Sequence, residues 1–252
     1  MSRLPIIAAA ALLAIAAILL FLRKPGQGAD VAIAVASNFD APAKAIAAAF
    51  EKETGFTVSL STGSTGKHYA QIKRGAPFDI FLAADTKRPE LLEQEGFGIE
   101  NTLIVYAMGR LVLWSPDSTA FTDGIQFLRE NSFRYIALAN PELAPYGSAA
   151  VEVLNSLGVS SESKWVRGEN ISQTFHFVKS EAADAGFVAL SQVRSLNETE
   201  KGSQWIVPAE RHPPIEQAAI LLNDTPAARE FVSYLESAEA KAIIHNFGYD
   251  LP

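Results

Sequence analysis

From residue 31 onward the chain alternates two patterns: short continuous apolar runs, and longer stretches whose apolar residues recur every three or four positions. VAIAVAS (Val31–Ser37) is a run of the kind buried on both faces of a parallel sheet. APAKAIAAAFEKETG (Ala41–Gly55) has helical spacing, with Pro42 in its first turn and Gly55 as its stop. FTVSLST (Phe56–Thr62) predicts a strand, His68–Arg74 a helix and DIFLAA (Asp79–Ala84) another strand. Such alternation predicts a parallel sheet. After RPELLEQEG come TLIVYA (Thr102–Ala107), GRLVLWS (Gly109–Ser115) and RYIALAN (Arg134–Asn140), then helices over Gly147–Leu157 and Ser172–Ser180 and the run AGFVAL (Ala185–Leu190). This is a second set of the same unit. IEQAAILL (Ile215–Leu222) predicts a late strand, and Ala227–Ser237 and Ala238–Gly248 two closing helices. The expected class is α/β, about 220 residues arranged as one large domain or as two lobes of about a hundred each.

The N-terminus breaks this rhythm. PIIAAAALLAIAAILLFL (Pro5–Leu22) is an unbroken apolar run with Arg3 before it and Arg23-Lys24 after it, the pattern of an export segment. It is also long enough to span a bilayer, which takes roughly 17–25 residues. Two outcomes are open: removal, for which GQGA ending at Ala29 offers small residues, and retention as an anchor, for which the basic pair is a suitable flank.

Charge and cysteine usage narrow the chemistry. Removing Arg3, Arg23 and Lys24 from 21 basic residues leaves 18 against 28 acids, a net charge of −10, which argues against a nucleic-acid partner. With no cysteine there are no disulfides, thiol nucleophiles, thiolate metal ligands or lipid-anchor cysteine.

GSTGK (Gly63–Lys67) resembles a phosphate loop, but Ser61 stands where the first glycine belongs and His68 where the Ser or Thr should follow the lysine. What remains is a small hydroxyl-rich turn opening a helix, whose free N–H groups favour anions. ASNFDAP, APYGS and GENIS repeat that composition at three further strand-to-helix junctions. Junctions at the carboxyl ends of parallel strands are where ligands bind. Ordinary N-capping explains any one of them; four divided between two lobes point to one anion held from both sides of a cleft.

The stretches VASNFDAPAKAIAAAFEKETG, GSTGKHYAQIKRGAPFDIFLAAD, ANPELAPYGSAAVEVL, GENISQTFHFVKSEAADAGFVALSQV and FVSYLESAEAKAIIHNFGY resemble the periplasmic molybdate-binding proteins of ABC transporters, in unbroken order from about Val31 to the C-terminus. The resemblance implies a two-lobed, class II periplasmic-binding-protein fold, each lobe a mainly parallel sheet flanked by helices. Residues 1–29 would be the leader, 30–107 with 215–252 a discontinuous first lobe, and 108–214 the second. It implies that a tetrahedral oxyanion, molybdate and with it tungstate, is held by neutral hydrogen bonds from Ser37, Asn38, Ser64, Thr65, Tyr146 and Ile171. Thr65 is the better ungapped match for the second hydroxyl, and Tyr146 and Ile171 would donate backbone N–H groups. Where some members carry a tyrosine after the GFV-type strand this chain has Ala189, a position for which the Tyr146 hydroxyl is one substitute and plain packing of that ring the other.

The resemblance further implies a monomer, exported to the periplasm, that needs no cofactor and delivers its ligand to an ABC permease in the inner membrane. Lys67 is expected outside the site. An enzyme is disfavoured, because His68, His176, His212 and His245 are scattered and no H-E-x-x-H or G-x-S-x-G motif occurs. Asp79 and Asp85 are expected in capping and turn roles. A membrane-tethered oxyanion sensor, and a binding protein for phosphate or sulfate, are the alternative functions.

Overall fold

The computed structural model describes residues 28–159 and 162–252. The Pro5–Leu22 leader lies outside them, and among the described residues no helix is long and apolar enough to cross a membrane. The elements in chain order are β1 (Val31–Ala36), α1 (Asp40–Thr54), β2 (Val58–Gly63), α2 (Thr65–Ile72), β3 (Ile80–Ala83), α3 (Lys87–Gln94), β4 (Ile104–Gly109), β5 (Leu111–Ser115), α4 (Gly124–Glu130), β6 (Ile136–Ala139), α5 (Pro145–Ser156), β7 (Trp165–Gly168), α6 (Ile171–Lys179), β8 (Ala185–Ala189), α7 (Leu190–Arg194), β9 (Ser203–Ile206), β10 (Ile215–Leu221), α8 (Pro226–Leu235) and α9 (Ala238–Asn246). A 3-10 turn, Ser37–Phe39, joins β1 to α1.

The strands form two five-stranded sheets, ordered β2-β1-β3-β10-β4 and β7-β6-β8-β5-β9. The two orders are the same pattern. In each, three neighbouring strands are parallel and one strand runs against its neighbours: β10 in the first sheet, β5 in the second. That strand is the one that arrives from the other lobe. The chain leaves the first sheet at Gly109 and enters the second at Leu111, and it returns between Ile206 and Ile215. Arg110 is thus the whole first crossing.

Each sheet buries both faces, which is why its strands read as continuous apolar runs. On the first sheet Ile33, Val35 and Leu82 pack with Phe50 and Phe231 of α1 and α8, while Ala34 and Phe81 meet Ile72 and Leu92 of α2 and α3 on the other side. On the second, Leu113 and Leu138 pack with Val153 and Leu154 of α5, and Val112 and Val188 with Val178 of α6. Ala36, Ala84 and Ile215 belong to the first sheet and its strand ends yet join the second lobe's core, so the lobes share apolar contact.

Helix boundaries shift from the sequence expectation toward the N-terminus. The helix expected from His68 begins at Thr65 because Ser64 caps it, its Oγ accepting from Lys67 N at 3.3 Å. The one expected from Gly147 begins at Pro145, whose missing N–H suits a first helical position. The one expected from Ser172 begins at Ile171, capped by Asn170. Gly55, at φ 76°, closes α1 in the left-handed conformation, with its N–H on Glu51 O. The edge strands β7 and β9 and the short helices α4 and α7 carry too little periodicity to be read from sequence.

Candidate functional site

Four strand-to-helix junctions meet where the lobes face each other. β1 delivers Ser37 and Asn38, β2 delivers Ser64 and Thr65, β6 leads to Tyr146 in the first turn of α5, and β7 leads to Ile171 at the start of α6. All six residues line one tight cavity of about 10 Å³, walled also by Ala36, Gly63, Ala84, Ala144 and Pro145. Each of the six is at most 4 % exposed. The walls carry hydroxyls, N–H groups and methyls, and no charged side chain.

The local hydrogen bonds decide which way the donors point. Thr65 Oγ1 accepts from Ala84 N at 3.1 Å, and Ser64 Oγ accepts from Lys67 N, so each hydroxyl has a lone pair engaged and its proton left to give. The Ser37 hydroxyl has no protein partner among the described residues. Nor do the N–H groups of Tyr146 and Ile171, which sit in helix first turns with no carbonyl in reach. Asn38 differs from its neighbours. Its amide nitrogen turns away to Gln217 Oε1 (2.7 Å) and the Tyr249 hydroxyl (3.0 Å), leaving its backbone to face the cavity.

The Tyr146 hydroxyl does not point into the cavity. It is buried against the first crossing, where a Cβ added to Gly109 would fall 2.2 Å from it, and no well-aligned hydrogen bond reaches it. Burial pushes its pKa well up, reinforced by the phenols of Tyr249 and Tyr106. Ala189 is fully buried at the end of β8, its N–H held by Gln192 Oε1 at 3.0 Å.

The lobes are hydrogen-bonded to each other around this cavity. Ser172 Oγ donates to Ser37 O (3.2 Å), Ser191 Oγ to Asn38 O (2.8 Å) and Gly66 N to Leu143 O (2.9 Å). Within the first lobe, the Tyr249 hydroxyl donates to the same Asn38 O at 2.7 Å. Lys67, expected outside the site, reaches across to Glu169 at 2.6 Å, away from the cavity wall and with both side chains well exposed. Sequence reasoning missed Ser172, Ser191 and Tyr249. Their hydroxyls bond to backbone carbonyls, and no residue spacing marks such partners.

Of the remaining candidates Asp85 has a local turn role, whereas Asp79 ties distant segments together rather than capping a helix. Asp79 accepts from Ala32 N (2.8 Å) and Asn223 Nδ2 (2.9 Å), and Asp85 accepts from Arg88 N (2.9 Å). His68 lies on the buried face of α2, its Nε2 3.2 Å from Val35 O and its Nδ1 3.0 Å from Gln71 Oε1.

Two lobes of this topology, joined by two crossings and closed on a cavity of uncharged donors, define a solute-binding protein. The family model of the bacterial extracellular solute-binding proteins matches residues 31–250, and the chain belongs to that family. Within it the chain is similar to the molybdate-binding protein ModA of Azotobacter vinelandii, 45% identical across 100% of this chain and 98% of that one. ModA of Rhodobacter capsulatus is 41% identical, covering 92% and 93%. The solved structure of the Azotobacter vinelandii periplasmic molybdate-binding protein superposes with a TM-score of 0.85 at 37% identity, over 88% of this chain and 100% of that one. These relatives are named as binding proteins, not enzymes.

Proposed function

We propose that the protein captures molybdate, and with it tungstate, in the cavity between its lobes and presents it to an ABC permease. The observation that carries this reading is the convergence of four helix-opening junctions, two from each lobe, on one cavity lined by hydroxyls and N–H groups. A dianion stripped of water must regain its hydrogen bonds. Bonds to an ionised group are roughly twice as strong as neutral ones, and helix N-termini add favourable dipole ends. A lysine countercharge is therefore unnecessary.

In this reading Ser37, Ser64 and Thr65 donate hydroxyl protons, and Asn38, Tyr146 and Ile171 donate backbone N–H groups. The cavity's fixed donors select by size: a smaller anion of the same shape, such as sulfate, cannot touch all of them at once. The ligand leaves unchanged, so no residue is catalytic. The lobes, expected to part between residues 107 and 108, are drawn instead after the end of β4 at Gly109, as residues 30–109 with 215–252, and 110–214. The working form is a monomer outside the cytoplasm, soluble or held by its leader.

Isothermal titration of the purified protein with molybdate, tungstate, sulfate and phosphate tests this. Tight and similar binding of the first two, with none of the others, is expected. Tight binding of phosphate or sulfate alone would replace the ligand, and no binding of any would favour a different solute.

A further inference from the structure

We propose that Arg88 is a positioning residue that gates the cavity, holding the lobes closed over a bound oxyanion and drawing the anion in when they part. The proposal rests on the oxyanion reading above and adds a kinetic role that the liganding residues do not have. On the outer side of the cavity lies a groove of about 560 Å³ between the lobes. It shares Ala84 and Pro145 with the cavity as common walls, so the groove lies directly beside the proposed anion position. Arg88 stands in that groove. Its guanidinium donates to Asp85 in its own lobe and, through Nη2, to the Glu142 carbonyl of the other lobe at 2.7 Å.

The same guanidinium sits over the first turn of α2. A Cβ on Gly66 would come within 3.3 Å of Arg88 Nη2, and Gly66 adjoins Thr65 of the cavity wall. This cation is thus beside the site without lining it. With the lobes together, one fork of the guanidinium is spent on Asp85 and the other on the Glu142 carbonyl. With the lobes apart, the second fork is released into the entrance, where it faces an approaching dianion on an otherwise acidic protein. Because the Arg88 side chain is only 19% exposed, the clamp to Glu142 is not fully screened by solvent. A lysine has no planar fork with which to hold both partners.

Rapid filtration with labelled molybdate, measuring association and label-chase dissociation at low and high salt, separates the two roles. Arg88→Gln is expected to speed dissociation about tenfold, the effect of losing one charge-assisted bond, and to slow association at low salt. Arg88→Lys should recover the association rate while dissociation stays fast. Asp85→Asn, which leaves the guanidinium uncompensated, should raise the association rate at low salt and steepen its salt dependence. General damage to the fold predicts neither split. Wild-type protein that binds molybdate, with R88Q rates within about twofold of it and no change in D85N, overturns the gate alone. Wild-type protein that fails to bind molybdate at all overturns the ligand reading instead.

Discussion

At the scale of single residues, the proposed site separates hydroxyl donors from side chains that merely fill space. Ser37 and Thr65 have protons to give into the cavity, so Ser37→Ala and Thr65→Ala should each weaken molybdate binding by about 1.5–3 kcal/mol, the range for hydrogen bonds to charged groups. Titration calorimetry that finds both variants at wild-type affinity removes these two donors from the site. Tyr146 makes the opposite case. Its hydroxyl is buried against Gly109 with no good partner, so Tyr146→Phe should leave affinity unchanged and leave the fold at least as stable, since an unpaired buried hydroxyl is a cost. A loss as large as that of Ser37→Ala would show the phenol reaching the anion. His68 supplies a pH dependence. Burial, first among the causes, holds its pKa below the ordinary 6.5, and its bonds to Gln71, Val35 and Ser61 only partly offset this. The unfolded chain therefore takes up a proton near pH 6.5 that the folded chain refuses, and stability falls as the pH drops through and below that value. Urea unfolding of wild type and His68→Gln between pH 7.5 and 5.5 checks it. The variant should lose less stability on acidification, and equal losses would clear His68 of any part.

At the scale of elements, the proposed site is a property of helix beginnings. Sequence made these legible because Ser, Thr, Asn and Pro cluster at them for capping reasons that hold in any fold. The six residues expected there do share one cavity. The exact first turns were not legible. Gly66 reads as loop, yet it lies inside α2, where the Ser64 cap and the contact with Leu143 outweigh its poor helix propensity. Short edge strands such as Trp165–Gly168, half exposed and paired on one side only, were also beyond reach, because four residues do not establish a period. Gly66 gives the test that belongs to this scale. Its φ is not left-handed, so alanine fits the helix itself, but the new Cβ would lie 3.1 Å from both the Cα and the carbonyl oxygen of Leu143 in the opposite lobe. Gly66→Ala should leave the melting temperature of the ligand-free protein unchanged or slightly raised, while weakening molybdate binding by about 1–3 kcal/mol through obstructed closure. Unimpaired binding would mean that the lobes tolerate the extra methyl and that close approach at Gly66 is not required.

At the scale of the whole molecule, the alternation of runs and periodic stretches gave the α/β class and left one large domain or two lobes open, the two-lobed arrangement following only from the family resemblance, and pairing order did not follow from the pattern at all. That β10 and β5 run against their neighbours is a consequence of connectivity, since each enters its sheet from the far lobe. The double crossing has a further consequence, for the order in which a growing chain can complete itself. The second sheet draws all its strands from one continuous stretch, Leu111–Ile206, but the first waits for β10 to enter between β3 and β4. Until residue 215 has been synthesised, β3 and β4 have no common neighbour and α8 and α9 do not yet cover Phe50. Chains arrested shortly after Ile206 should therefore show a protease-resistant middle and a digestible beginning, and only extension through α9 should protect the beginning as well. The half of the molecule made first is the half that folds last, and its apolar strands are the ones exposed longest to aggregation and to whatever holds nascent chains apart.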